Sequence, residues 1–179
     1  LDPLELRLFD RAQMRGDVPH HRAGDQKVDR GHRDLPARRG QAWPRFSVVV
    51  CSYNGAATIR DTLEALERLD YANYEVIVVD DGSTDATPEI AAGYDLKLIS
   101  TKNQGLAAAR NVGLAAASGA IVAYLDDDAY PDCDWLTYLA IGFRDPDVCG
   151  VGGPNLLPRE DGDLAECVAN APGGPAHVL

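Results

Sequence analysis

No stretch of the 179 residues approaches the ~20 consecutive apolar positions that a membrane-spanning helix needs. Leu1 to Asp10 also lack the basic-then-apolar order of a secretory leader. The expected location is therefore the cytoplasm, or the inner face of the membrane for an intact protein anchored elsewhere. The four cysteines, Cys51, Cys133, Cys149 and Cys167, form no C-x-x-C pair and no set with His at zinc spacing. They read as small buried side chains in a reducing compartment. Basic charge is scarce where it would matter for nucleic acid. Residues 1–45 hold ten Lys/Arg against seven Asp/Glu, whereas the remainder holds seven against twenty-one. An acidic body disfavours contact with phosphate backbones, so no nucleic-acid partner is expected. It suits a protein that meets phosphate through a cation.

What the chain does have is regular from Phe46 onward. Before that, residues 1–44 are rich in Arg, Asp, His and Gly, with scattered apolar positions and no sustained periodicity. They read as a poorly ordered or remnant segment, and His20, His21 and His32 as parts of a solvated polar tract. Residues 45–179 read as one domain that is incomplete at its C-terminus.

Phe46 to Cys51 is a β-branched, strand-like run ending in the turn signal Ser52-Tyr53-Asn54-Gly55. A helix is predicted from Thr58 to Leu69, with Thr58 and Asp61 as a capping pair and Ile59, Leu63, Leu66 and Leu69 on one face. Glu75 to Val79 predicts a second strand broken by Asp80-Asp81-Gly82-Ser83. Asp85 then caps a short helix with Pro88 in its first turn. Leu96 to Ile99 predicts a third strand. Gly105 to Ser118 predicts an Ala-rich helix able to pack closely on a sheet, ended by Gly119. Ala120 to Leu125 predicts a buried fourth strand. Asp132 or Asp134 caps a helix through Trp135, Leu136, Leu139 and Phe143, and Val148 to Val151 predicts a short strand.

This alternation predicts an α/β fold, a mostly parallel sheet with helices on both faces. Ligands of such sheets gather beyond the carboxyl ends of the strands. The polar groups fall there: Ser52-Tyr53-Asn54, Asp80-Asp81, Asn103-Gln104, Asp126-Asp127-Asp128 and Gly152 to Asn155. Three adjacent carboxylates repel one another unless a cation sits among them, and Mg²⁺ or Mn²⁺ prefers their oxygens. On extended backbone Asp126 and Asp128 would face one way and Asp127 the other, an Asp-x-Asp clamp on a metal that holds phosphate.

Four blocks, Val48 to Gly55, Val78 to Asp85, Asn103 to Gly113 and Leu125 to Asp128, together resemble family 2 glycosyltransferases in order and spacing over roughly residues 46–155. The resemblance implies a GT-A fold and an inverting, metal-dependent transferase using a UDP- or GDP-type sugar donor, in cell-wall or polysaccharide biosynthesis. It implies that Tyr53 lies against the nucleobase and that Asp81, in the Asp80-Asp81-Gly82-Ser83 block, accepts from the base. Ser52 and Asn54 belong to the same donor site. Arg110 would face the nucleotide and pair with Asp81 or a phosphate. Asp126 would contact the ribose or sugar side and share the cation with Asp128; other members place a metal ligand at the second position, here Asp127. Family members carry their general base after the Gly-Gly-Pro region, and no residue up to Leu179 matches it. It is expected beyond this chain, which would then bind donor without efficient transfer; the alternative is a truncated or inactive nucleotide-sugar-binding module. The acceptor is not indicated. A dinucleotide-binding oxidoreductase is excluded by the missing G-x-G-x-x-G after the first strand.

Overall fold

The structure is a computed structural model, and it describes residues 43–153. Among the described residues eight elements alternate: β1 (Phe46–Ser52), α1 (Ile59–Glu67), β2 (Tyr74–Asp80), α2 (Thr87–Ala91), β3 (Lys97–Ser100), α3 (Leu106–Ala116), β4 (Ile121–Asp126) and α4 (Trp135–Gly142). The four strands form one parallel sheet in the order β3-β2-β1-β4. Each strand is followed by a helix, because parallel neighbours must be joined by a crossover.

Alternate residues of the central strands supply two cores. Phe46, Val48 and Val50 of β1 pack with Val78 of β2 against Ile59, Leu63 and Leu66 of α1 and Leu136 and Leu139 of α4. Val49 of β1 with Ile77 and Val79 of β2 packs on the opposite face against Ala109, Val112 and Ala116 of α3. Burial of each such Val, Leu or Ile side chain contributes about 1.5–3 kcal/mol. The small residues of α3 bring it close to the sheet, and a Cβ at Gly113 would collide with the side chain of Val49. The body begins before Phe46: Tyr71 Oη donates to Pro44 O at 2.6 Å, and its ring meets Trp43 edge-on at 6.2 Å.

Several expectations change. β4 is half-exposed rather than buried, with only Ala123 in the core, because among the described residues it pairs with β1 alone. Val148 to Val151 forms no strand; it follows a turn after α4 and finds no ladder partner among the described residues. Thr58 precedes α1 without a side-chain cap, since its hydroxyl donates to Gly55 O at 3.3 Å. Asp134 precedes α4, also without a side-chain cap; Asp132 Oδ1 instead accepts from Asp134 N at 2.9 Å. Gly119 does not end α3, which gives way to extended backbone at Ala117. Its amide donates to Ser47 Oγ at 2.8 Å, fastening the turn to β1. The expectations for residues 1–42 and 154–179 lie outside the described residues.

Candidate functional site

The ladder register decides which polar groups meet. Ser52 is opposite Asp80 and Cys51 is opposite Asp126, so β1, β2 and β4 end together on one rim. Neighbouring strands lie about 4.8 Å apart, which brings the three exit loops side by side.

The first two loops are laced together. Asn54 takes a left-handed φ of 56°, a conformation Asn tolerates better than most residues. Its amide donates to Ser83 Oγ at 2.9 Å, and its Oδ1 accepts from Thr84 N at 2.8 Å. Asp85 Oδ2 accepts from Ala56 N at 3.0 Å, while its Oδ1 accepts from the amide and hydroxyl of Thr87. The Thr87 hydroxyl, with these amides, holds the Asp85 carboxyl below its ordinary range. α2 thus starts from Ala86 without a side-chain cap, and Asp85, expected as that cap, instead ties Thr87 at the start of the helix to the loop after β1. Tyr53, on that loop, is about half exposed.

Asp80 and Asp81 are both buried yet do different things. Asp80 Oδ1 accepts from Ser83 N at 3.0 Å and shapes its own turn. Asp81 reaches across to the loop before α3. Its Oδ1 accepts from Gln104 N at 3.0 Å and Thr101 Oγ1 at 3.2 Å, and its Oδ2 from Gly105 N at 2.7 Å. The amide of Gln104 leads the donors that keep this carboxyl below its ordinary value. A carboxylate has about four lone-pair positions, so three of Asp81's serve its own chain and about one remains for a ligand. A depression of about 70 Å³ lies beside it, lined by Cys51, Ser52, Tyr53, Asp81, Leu106 and Ala109. Burial pushes the Cys51 thiol up to about 11, with Arg110 opposing and Asp126, Asp81 and Asp127 reinforcing the rise. A larger cavity, about 220 Å³, lies at the other end of β2 between Tyr74, Tyr94 and Leu63, remote from this rim.

The acidic triplet does not continue the strand. β4 ends at Asp126, and Ala129 N donates to Asp126 O at 3.2 Å to close a turn. Strand alternation therefore stops short of Asp127 and Asp128, although the exposure still alternates: Asp126 and Asp128 are exposed and Asp127 half-buried. Asp127 accepts from the hydroxyl of Ser52. Arg110 pairs with Asp126, Nη2 to Oδ1 at 3.3 Å, rather than with Asp81. It also stands over the Tyr124 ring, 5.8 Å from the centroid. α3 points this guanidinium toward β4, and Asp81 is already occupied by the loop before the helix.

Among the described residues, one group of three acidic or thiol side chains brings its donor atoms within 4.8 Å of one another: Asp132, Cys133 and Asp134. Asp126, Asp127 and Asp128 do not form such a group. Sequence reasoning missed Thr62, a buried polar residue on the apolar face of α1 whose hydroxyl donates to Asp127 O at 2.9 Å. A lone Thr on an otherwise apolar stripe was the available signal.

The family description "Glycosyl transferase family 2" matches residues 47–161. The chain belongs to glycosyl transferase family 2. Among its relatives in that family, the Glycosyltransferase AglE of Haloferax volcanii is 43% identical over 101 residues, 52% of this chain and 33% of AglE. A mannosyltransferase from Pyrobaculum calidifontis, solved with GDP-Man and Mn²⁺, is similar with a TM-score of 0.55 and 36% identity, over 60% of this chain and 34% of that one. S. aureus TarS 1-349, solved with UDP-GlcNAc, matches with a TM-score of 0.50 and 35% identity, over 54% of this chain and 30% of that one. The family 2 fold is thus GT-A-like, and this chain spans about a third of the length of each of these relatives.

Proposed function

We propose that the chain is the donor-binding part of a glycosyltransferase that takes a nucleoside diphosphate sugar with Mn²⁺ or Mg²⁺. In the intact protein the sugar passes to an acceptor hydroxyl with inversion. One observation carries this reading: the register that sets Ser52 beside Asp80 and Cys51 beside Asp126 brings Tyr53, Asp81 and the acidic turn onto a single rim. GDP-Man and UDP-GlcNAc in the two solved relatives support the donor class, and Mn²⁺ in one of them supports the metal.

The donor set suits a hard cation. Asp126 and Asp128 offer exposed carboxylate oxygens. Mg²⁺-like ions are commonly held by one or two carboxylates plus substrate phosphates rather than by an all-protein cage, so three converging ligands are not required. When bound, the cation supplies charge neutralisation of the departing nucleoside diphosphate. Around it, the ring of Tyr53 offers stacking area for the base, and the remaining lone pair of Asp81 accepts a base N–H. Asn54 and Asp80 hold the loops that carry these two groups, and Ser52 anchors the turn through Asp127. Arg110 releases or shares Asp126 as phosphate arrives. Inversion requires the acceptor hydroxyl to attack from the face opposite the leaving group. No described residue is assigned as the base for that step.

Calorimetry of UDP and GDP, with and without Mn²⁺, tests the reading. Metal-dependent affinity for one nucleotide, lost in Asp128→Asn, is expected. Equal, metal-independent heats from both proteins would overturn it.

A further inference from the structure

Three segments converge on one member of the acidic triplet. The carboxylate of Asp127 accepts from Ser52 at the end of β1, and its carbonyl accepts from Thr62 Oγ1 of α1 at 2.9 Å. Between them lies Gly55, whose backbone approaches so closely that a Cβ would collide with Asp127 Oδ2 and Ser52 Oγ. Ser52 and Thr62 are buried, at 3% and 0% exposure. Asp126 and Asp128, on either side, face solvent. A serine hydroxyl has one proton to donate, and that of Ser52 is committed to Asp127. Only Oδ2 is held by Ser52, but swinging the carboxylate out of this seat to meet a cation beside Asp126 and Asp128 would leave a buried hydroxyl without its acceptor, which is unfavourable.

We propose that Asp127 is a positioning residue and not a metal ligand: seated on Ser52 over Gly55 and held by Thr62, it fixes the turn from which Asp126 and Asp128 meet the cation. The inference rests on the donor-site reading above and divides the labour within that site. The need for such a seat is structural. Among the described residues β4 has a sheet neighbour on one side only, so the turn after it draws little support from the ladder.

The test uses the 179-residue chain, Mn²⁺ with UDP or GDP, and two readouts. In calorimetry, Asp127→Asn keeps an amide oxygen for Ser52 and is expected to hold metal-dependent affinity within about threefold. Asp127→Ala and Ser52→Ala each weaken it by about tenfold, and the double variant by no more than either, because both remove the same bond. Asp128→Asn abolishes it. Amide hydrogen exchange without nucleotide is the second readout: Asp128 to Tyr130 exchange faster in Ser52→Ala and Asp127→Ala, but not in Asp128→Asn. Loss of affinity in Asp127→Asn as complete as in Asp128→Asn would overturn the proposal, because the charge itself would then be required. Unchanged exchange in Ser52→Ala would overturn it as well. Failure of the unaltered chain to bind either nucleotide with Mn²⁺ sinks the donor-site reading instead, while the exchange comparison still decides whether Ser52 seats Asp127.

Discussion

The guanidinium of Arg110, on α3, lies 3.3 Å from Asp126 Oδ1 at the end of β4, so a fixed positive charge already occupies one of the carboxylates proposed for the cation. Both side chains are well exposed, 42% and 67%, which makes the pair weak and exchangeable. Arg110→Ala is expected to raise the affinity for Mn²⁺ alone by up to about fivefold, the size of an exposed ion pair. On the proposed donor-site reading, the same change lowers affinity for the metal–nucleotide complex, which would lose a phosphate partner. Calorimetry with Mn²⁺ alone, then with Mn²⁺ and UDP or GDP, separates the two. A fall in both would mean that Arg110 chiefly orders the acidic turn.

Asp81→Asn puts an amide NH₂ against backbone donors. The amide has one acceptor oxygen, whereas Gln104 N, Gly105 N and Thr101 Oγ1 all donate to the native carboxylate. The start of α3 should loosen, with faster hydrogen exchange at Leu106 to Ala109 and a melting temperature lower by a few degrees. If only nucleotide affinity falls, Asp81 acts on the ligand and not on the loop.

Gly113→Ala tests the close approach of α3 to the sheet. The added methyl meets Val49, so destabilisation of about 1–3 kcal/mol is expected in urea unfolding, as for overpacked cores. Combining it with Val49→Ala, which makes room, should cost less than the sum of the two single changes. Additive losses would place the strain elsewhere.

Glu75 carries a pH dependence whose sign follows from its partners. Its Oε1 accepts from Ser47 Oγ at 2.6 Å, Ser118 Oγ at 2.7 Å and Ser118 N at 2.8 Å. The Ser47 bond leads in pulling its pKa from an ordinary 4.5 to about 2. A depressed carboxyl stabilises the fold fully above its unfolded pKa, and that contribution fades as pH falls toward the folded value. Urea midpoints should therefore decline from pH 5 to pH 3, and less steeply in Glu75→Gln. Asp81 and Asp85, also held low, add to the decline in both proteins. Parallel slopes would show that Glu75 gains nothing from its serines.

Four of the five expected strands, their parallel direction and the meeting of Ser52, Asp80 and Asp126 at their carboxyl ends were legible in the sequence because they follow from apolar period and crossover geometry. Val48 to Val50 and Ile77 to Val79 are buried as their composition requires. Partnerships across the fold were not legible. Nothing local says that Arg110 turns to Asp126 and not Asp81, or that Thr62 reaches a carbonyl 65 residues away. Caps were misread for a related reason: Thr58 and Asp134 have suitable side chains, but the loop bonds of Gly55 and Asp132 decide the local geometry. The run delivering the aspartates looked buried from composition alone, yet exposure depends on how many strands flank it, which composition does not encode.

Thr62 sits in the interior, on a helix whose inward Ile59, Leu63 and Leu66 belong to the apolar core. Damage to that one hydroxyl would be felt at the acidic turn, so a lesion in α1 remote from any ligand should loosen the mouth proposed for the donor.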